Sequence, residues 1–240
     1  MRTLALLFAV GCSTVSPRPP LTVAPEVLQG GSTIYFGSSF PLKGEAAAPS
    51  FIYERRVGAQ NSTHLTRDPT GAIAIAESAT HTADYELGEY TLHTNQQGQR
   101  GSIGVEGDEV TFQLEGRSVK ERQSAPVVVG PTLVGFIFRH LSALRTGERF
   151  GVRFAVLERM ETIGFELKAV EAEPGLTRVR MTASGFFVSL AVAPSFFTFE
   201  TASGKLVRIE GRIPPKVRSG KGWADFDARV EYRYVAETYR

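Results

Sequence analysis

Residues 225–234 read Asp-Phe-Asp-Ala-Arg-Val-Glu-Tyr-Arg-Tyr. Charged residues alternate with apolar or aromatic ones, and this period of two predicts a β-strand with one buried face and one solvated face. We expect the charged side chains to form ion pairs with neighbouring strands, each of them weak in water. The residues expected to face the core are Phe226, Ala228, Val230, Tyr232 and Tyr234, and those expected to face solvent are Asp225, Asp227, Arg229, Glu231 and Arg233.

The same alternation runs back through the second half of the chain, over residues 149–159, 162–170, 176–182 and 205–213. In the last of these runs Leu206 is a lone apolar residue on the polar face, whereas Val207, Ile209 and Ile213 share the apolar face. Shorter runs between residues 51 and 115 are separated by Gly, Pro or Asn. Because the strands follow one another at hairpin spacing, we predict a mainly β domain with a curved antiparallel sheet or half-barrel.

One segment has helical rather than strand periodicity. Leu133, Phe136, Leu141 and Leu144 recur at helical spacing within residues 131–144. Pro131 suits a first helical turn and Gly147 follows the end. We predict one helix over 131–144, packed on the concave face of the sheet.

Residues 184–201 are apolar on both faces of the expected strand, so both faces need a cover. Ten of the 16 phenylalanines fall between Phe136 and Phe199. Two interpretations remain open: the helix seals the sheet, or the sheet encloses an apolar cavity that binds a ligand. The residues predicted to line such a cavity are Phe136, Phe187, Val188 and Phe197.

The start of the chain predicts export and lipid anchoring. Arg2 precedes a short apolar run, which is far below the ~20 residues that cross a bilayer. Residues 9–12, Ala-Val-Gly-Cys, resemble the lipobox of bacterial lipoproteins, with Ala9 where Leu is commoner. This resemblance implies lipid attachment at Cys12, the single cysteine of the chain, and a location in the bacterial cell envelope. Ser13 after the cysteine implies sorting to the outer membrane, facing the periplasm.

The chain is therefore expected to have three parts. Residues 1–11 form a lipoprotein signal peptide, residues 12–48 form a lipid-anchored tether rich in Pro and Gly, and residues 49–240 form a single β-rich domain. Formal net charge is +2, and no basic tract is present, so we expect no nucleic-acid partner.

A second resemblance covers Leu141–Arg212. Leu144-x-x-Gly147-Glu148 and Gly204-Lys205-Leu206-Val207 are similar to motifs of uncharacterised secreted domains whose fold resembles the half-barrel of the LolA/LolB-type lipoprotein carriers. In that fold a curved sheet wraps a helical lid around an apolar cavity. The resemblance implies this architecture for the present chain.

Catalytic and metal-binding signatures are weak. The sequence has no Gly-x-Ser-x-Gly or Ser-x-x-Lys motif, and an acylated Cys12 leaves no thiol nucleophile. His81, Asp84 and His93 could form a metal site, but their spacing does not place them on one element, and we expect the histidines of the strands to face solvent. Asp225 and Asp227 are expected in ion pairs rather than in a cation site. We predict no metal and no cofactor.

These observations lead to one functional prediction and one alternative. We expect a non-enzymatic envelope lipoprotein that binds an apolar or lipid-like ligand. The alternative is a structural or assembly lipoprotein that binds another envelope protein through a sheet edge or face. A cluster of convergent polar groups inside the cavity would instead favour an enzyme.

Overall fold

The computed structural model describes residues 32–44, 46–185 and 192–234. They form one mainly antiparallel sheet of 15 strands, in the order β8-β7-β6-β5-β4-β3-β2-β1-β15-β14-β13-β12-β11-β10-β9, and only β9 and β10 pair in parallel. The strands are β1 (Ser32–Pro41), β2 (Phe51–Gly58), β3 (Asn61–Arg67), β4 (Ile73–His81), β5 (Leu87–Thr94), β6 (Gln99–Glu106), β7 (Glu109–Leu114), β8 (Arg117–Arg122), β9 (Val127–Val128), β10 (Arg149–Val156), β11 (Glu161–Val170), β12 (Leu176–Ala183), β13 (Ser195–Glu200), β14 (Leu206–Ser219) and β15 (Gly222–Tyr234).

The predicted fold class is confirmed, and the sheet is strongly curved. Its two halves approach each other: the Gln96 side-chain amide donates to the Lys216 carbonyl at 2.9 Å, and the Thr162 backbone N–H donates to the Glu121 carboxylate at 3.1 Å. Leu157, in a 3₁₀ turn after β10, packs in one apolar cluster with residues of β6 and β7. The arrangement is a half-barrel whose concave side holds the core.

The helical segment lies where it was expected, but it is broken. Helix α1 spans Gly130–Arg139 and helix α2 spans Leu141–Arg145. The break falls at His140, whose ring lies 4.5 Å from the ring of Phe136 and 4.3 Å from that of Phe150. Helix α1 packs inside the sheet against β2, β3 and β4. No helix in the described ranges is long and apolar enough to cross a bilayer.

The folded domain begins before residue 49, which corrects the expected boundary of the tether. Strand β1 lies between β2 and β15, at the centre of the sheet. Its inward positions include Gly37, where a Cβ would lie 2.8 Å from the Tyr232 ring, and Ser39, which accepts a hydrogen bond from the Phe51 backbone N–H at 3.1 Å. These small residues make room for large neighbours, so β1 lacks the apolar alternation that marks other strands.

The register predicted for β15 is confirmed up to Tyr232, whereas Tyr234, which was also expected to face the core, is exposed. Ala228 and Val230 are fully buried, and the carboxylates of Asp225 and Asp227 project outward. Both carboxylates pair with Arg212 of β14, at 2.7 and 2.9 Å. The acidic pair is therefore an ion-paired outer surface, as expected.

Leu206 differs from its expected position. It is buried on the inner face rather than lying on the polar face. The cause is a β-bulge in the pairing of β13 with β14 between Thr198 and Phe199, which opposes Thr198 to Arg208 but Phe199 to Leu206. One extra residue in β14 shifts the alternation by one position.

A candidate ligand-binding recess

A recess of about 140 Å³ opens where α1 ends, beside the start of β1 and the end of β15. We refer to it as the aromatic recess. Five rings line it, together with two valines, two small polar residues, two glycines and one charged residue. The rings are Tyr35, Tyr85, Phe138, Phe199 and Tyr234, and the others are Val57, Val134, Thr33, Ser203, Gly135, Gly204 and Lys205.

Two glycines allow rings to lie directly on the backbone of the recess. A Cβ at Gly135 of α1 would overlap the ring of Tyr85. A Cβ at Gly204, in the turn between β13 and β14, would overlap the ring of Phe138, and Gly204 also has a φ of +67°. The glycines therefore fix how closely the walls of the recess approach one another.

Tyr85 is held in a backbone conformation that a tyrosine rarely adopts, with a φ of +63°. The short loop between β4 and β5 maintains it: the Tyr85 N–H donates to the Thr82 carbonyl at 3.0 Å, and Arg139 of α1 pairs with Asp84 at 2.9 Å. The ring stacks on His81, with 4.5 Å between ring centroids. A conformation of this kind costs on the order of 1–3 kcal/mol and is often found at functional sites.

The rim of the recess combines exposed rings with one cation. Phe138 is 49% exposed and Tyr234 is 38% exposed. The Lys205 ammonium lies 3.6 Å from the centroid of the Tyr234 ring, in cation–π geometry. The recess can therefore take an apolar group inside while a polar group stays near Lys205.

A row of polar residues lies deeper in the half-barrel, on β2, β3 and β4. Arg55 is directly opposite His64, and His64 is directly opposite Glu77. His64 Nδ1 lies 3.5 Å from a Glu77 carboxylate oxygen, and the Tyr90 hydroxyl donates to the other oxygen at 2.8 Å. The Arg55 guanidinium donates to the Gly130 carbonyl at 3.1 Å, so the row also fastens the start of α1 to the sheet.

Burial decides the charge state of this row. Burial, and then the positive charge of Arg55, lower the pKa of His64 to about 4, so the imidazole is neutral at pH 7. Burial alone would raise the pKa of Glu77, but the hydrogen bonds from His64 and Tyr90 and the charges nearby outweigh it, and the pKa lies below its ordinary value. Arg55 and Glu77 thus remain oppositely charged inside the half-barrel.

This polar row is not arranged as an accessible reaction centre. Arg55, His64, Glu77 and Tyr90 are all buried, and Gly130 covers them so closely that a Cβ there would lie 3.3 Å from a Glu77 oxygen. The expectation that the strand histidines face solvent is wrong for His64 and also for His81, which is bonded to the Ser62 hydroxyl at 3.0 Å. The signal that could have revealed the row is the presence of charged residues at inward positions of three consecutive strands.

Of the four residues predicted to line a cavity, two belong to the described part of the chain and two do not. Phe136 and Phe197 are 2% and 5% exposed and pack in the main core, and neither lines the aromatic recess. Phe187, Val188 and the lipid-attachment residue Cys12 lie outside the described residues. Within the described part of the chain, no group of three His, Cys, Asp or Glu side chains could hold a metal. His81 is bonded to the Ser62 hydroxyl, and His93 lies on the next strand, β5.

A wider groove of about 430 Å³ lies at β11–β14 and is mainly polar. Arg178 and Arg208 line it on either side of Thr198. The Arg178 guanidinium stacks on the Phe196 ring at 4.1 Å and donates to Glu210 at 2.8 Å. Glu171 and Glu173 complete the lining, so both charge signs are present.

No protein-family model and no curated protein matches the chain. Among solved structures it is similar to a β-barrel-like protein of the domain of unknown function DUF1849 from Brucella abortus, with 10% identity, a TM-score of 0.47, and coverage of 85% of this chain and 95% of that one. It is also similar to a DUF1089 family protein from Pseudomonas aeruginosa, with 13% identity, a TM-score of 0.45, and coverage of 70% of this chain and 94% of that one. Neither name assigns an activity.

Proposed function

We propose that this chain is a non-enzymatic, lipid-anchored envelope protein that binds an apolar or lipid-like group in the aromatic recess. The observation that carries the proposal is an apolar pocket with five aromatic rings and a single charged residue at its mouth. Concave apolar sites with a few oriented polar groups are the usual form of small-molecule sites. The anchor at Cys12 and the periplasmic side of the outer membrane belong to the same proposal and rest on the lipobox resemblance.

The size of the recess limits what it holds. An apolar protein cavity of about 150 Å³ binds one benzene molecule, and the recess measures about 140 Å³. We therefore expect one ring or the end of one acyl chain to be bound, with the rest of the ligand outside. The similarity to LolA/LolB-type carriers supports the proposal only through architecture, since α1 lies inside a curved sheet with an apolar recess beside it.

The proposal is tested by titration with a neutral apolar fluorescent probe, N-phenyl-1-naphthylamine. Thr33 of β1 lines the recess and faces Val57, so Thr33→Trp should fill the space and weaken probe binding at least tenfold. The matched control is Thr111→Trp on β7, which is also half-buried but lies outside the recess and should leave binding unchanged. Saturable binding that survives in Thr33→Trp, or no saturable binding in the wild type, would contradict the proposal.

A second candidate function is supported by the polar groove at β11–β14. Its mixed charges, with Arg178 and Arg208 near Glu171 and Glu173, suit a protein surface better than an apolar ligand. In this case the chain would be an assembly protein that binds another envelope protein. A photo-crosslinking residue at Ala172, an exposed residue of the groove lining, should then capture one specific protein in cells, and the same residue at Thr111 should not.

A further inference from the structure

We infer that the ligand of the aromatic recess carries an anionic head group, a carboxylate or a phosphate, which Lys205 binds at the mouth. The inference rests on the proposed function, because it names the ligand class of the same site. It is argued from the charges around the recess and from the surroundings of the Lys205 ammonium.

The only charge carried by the described side chains that line the recess is positive. Lys205 is the single charged residue among those that line it. Neither nearby carboxylate pairs with the Lys205 ammonium: Asp84 pairs with Arg139 at 2.9 Å, and Glu200 accepts a hydrogen bond from the hydroxyl of Ser203, at the edge of the recess. A cationic ligand would therefore meet a like charge at the mouth, whereas an anionic ligand would meet an opposite charge.

The ammonium of Lys205 is positioned but not neutralised. Its contact is the Tyr234 ring, 3.6 Å from the ammonium to the ring centroid. No carboxylate of the described residues lies within ion-pair distance of it. A ring attracts the charge through its π face but accepts no conventional hydrogen bond, so the N–H donors of the ammonium remain available to oxygen atoms of a ligand.

Hydroxyl groups at the mouth add to this polar end. Thr33 and Ser203 line the recess together with Lys205. The Ser203 hydroxyl already donates to Glu200, so Thr33 is the hydroxyl that can donate to an oxyanion. The rings of Phe199 and Tyr35 lie on the buried side of the same recess. The site therefore separates a polar end from an apolar end, which matches an amphiphile with one acidic head and one apolar chain.

The test displaces N-phenyl-1-naphthylamine from the full chain with four ligands of equal chain length at pH 8: octanol, octylammonium, octanoate and octyl phosphate. We expect octanoate, octyl phosphate or both to displace the probe at concentrations roughly two- to fivefold lower than octanol, as for one solvated ion pair. Octylammonium should be weaker than octanol. A better result for octyl phosphate identifies a phosphate head group, and a better result for octanoate identifies a carboxylate.

Two variants assign the effect to Lys205. Lys205→Gln should abolish the preference for the anions over octanol, whereas Lys168→Gln on β11 removes the same charge elsewhere and should keep that preference. If octanol displaces the probe but the anions are no better, or if the preference persists in Lys205→Gln, the inference is wrong while the proposed function stands. If the wild type binds neither the probe nor octanol, the proposed function itself fails.

Discussion

At the scale of single residues, His64 makes the stability of the fold sensitive to acid. Its pKa is about 4 in the folded chain, against roughly 6.5 in an unfolded chain. Between these two pH values the unfolded state binds more protons than the folded state. The contribution of His64 to the unfolding free energy is therefore fully present above about pH 6.5 and is lost as the pH falls toward 4. Glu77 acts in the same direction at lower pH, because its pKa is also lowered in the folded chain and its contribution is lost when it is protonated.

We therefore predict a loss of up to about 3 kcal/mol of unfolding free energy between pH 7 and pH 4, measured by urea denaturation. In His64→Gln the fall over this range should be much smaller, whatever the absolute stability of the variant. His93→Gln, which changes a less buried histidine on β5, should keep the wild-type pH dependence. An equally steep fall in His64→Gln would show that another group controls acid sensitivity.

At the same scale, the sequence predicts whether a residue is charged and on which face of a strand it lies better than it predicts which residues surround it. The ion pairs of Asp225 and Asp227 could be predicted because the two carboxylates alternate with apolar residues on one strand. Their partner Arg212 could not, because it depends on the register between β14 and β15. The buried row of Arg55, His64 and Glu77 could not be predicted for a similar reason. Each residue alone is of a type that is usually exposed to solvent, and only cross-strand pairing brings the three together.

At the scale of elements, β15 gives a direct test of register. Val230 is 1% exposed, whereas the neighbouring Arg229 is exposed and pairs with Glu231 at 3.1 Å. Val230→Asp should bury an unpaired carboxylate and lower the unfolding free energy by several kcal/mol. Arg229→Ala should lower it by less than about 1 kcal/mol. Equal shifts in the chemical-denaturation midpoint for the two variants would contradict the observed register.

Elements with strong periodicity were predictable, and elements shaped by their neighbours were not. The alternation of β15 and the helical spacing near Leu133 both located real elements. Strand β1 was missed because Gly37 and Ser39 occupy inward positions that larger residues would otherwise mark. The break falls at His140, whose ring contacts those of Phe136 and Phe150, and the second of these rings lies on a different element.

At the scale of the whole molecule, the position of the recess depends on how several distant segments meet. Its lining comes from β1, β2, the β4–β5 loop, α1, β13, the β13–β14 turn and β15. The excess of phenylalanine left open whether the sheet encloses a cavity, and Phe136 and Phe197, which were predicted to line one, lie in the main core and not in the recess. The rings that line the recess include three tyrosines, Tyr35, Tyr85 and Tyr234, that no single periodic run brings together.

The proposed lipid anchor predicts where the whole molecule resides. If Cys12 is acylated, the wild-type chain should appear in the detergent fraction of the cell envelope, held by acyl chains that each gain ~0.8 kcal/mol per buried CH₂. Cys12→Ser should move the protein to the soluble fraction, as followed by immunoblotting of the two fractions. A Cys12→Ser protein that still requires detergent would rule out the acyl anchor as the means of attachment.

Native mass spectrometry of the Cys12→Ser chain, purified without detergent from the cells that produce it, tests ligand binding in the recess most directly. Without the anchor, any mass beyond that of the chain belongs to a bound molecule. We predict an adduct of one small amphiphile per chain that is retained in Thr111→Trp and absent from Thr33→Trp, which fills the recess. A wild-type recess with no adduct, or an adduct that persists equally in Thr33→Trp, would contradict the proposal that the aromatic recess is a ligand site.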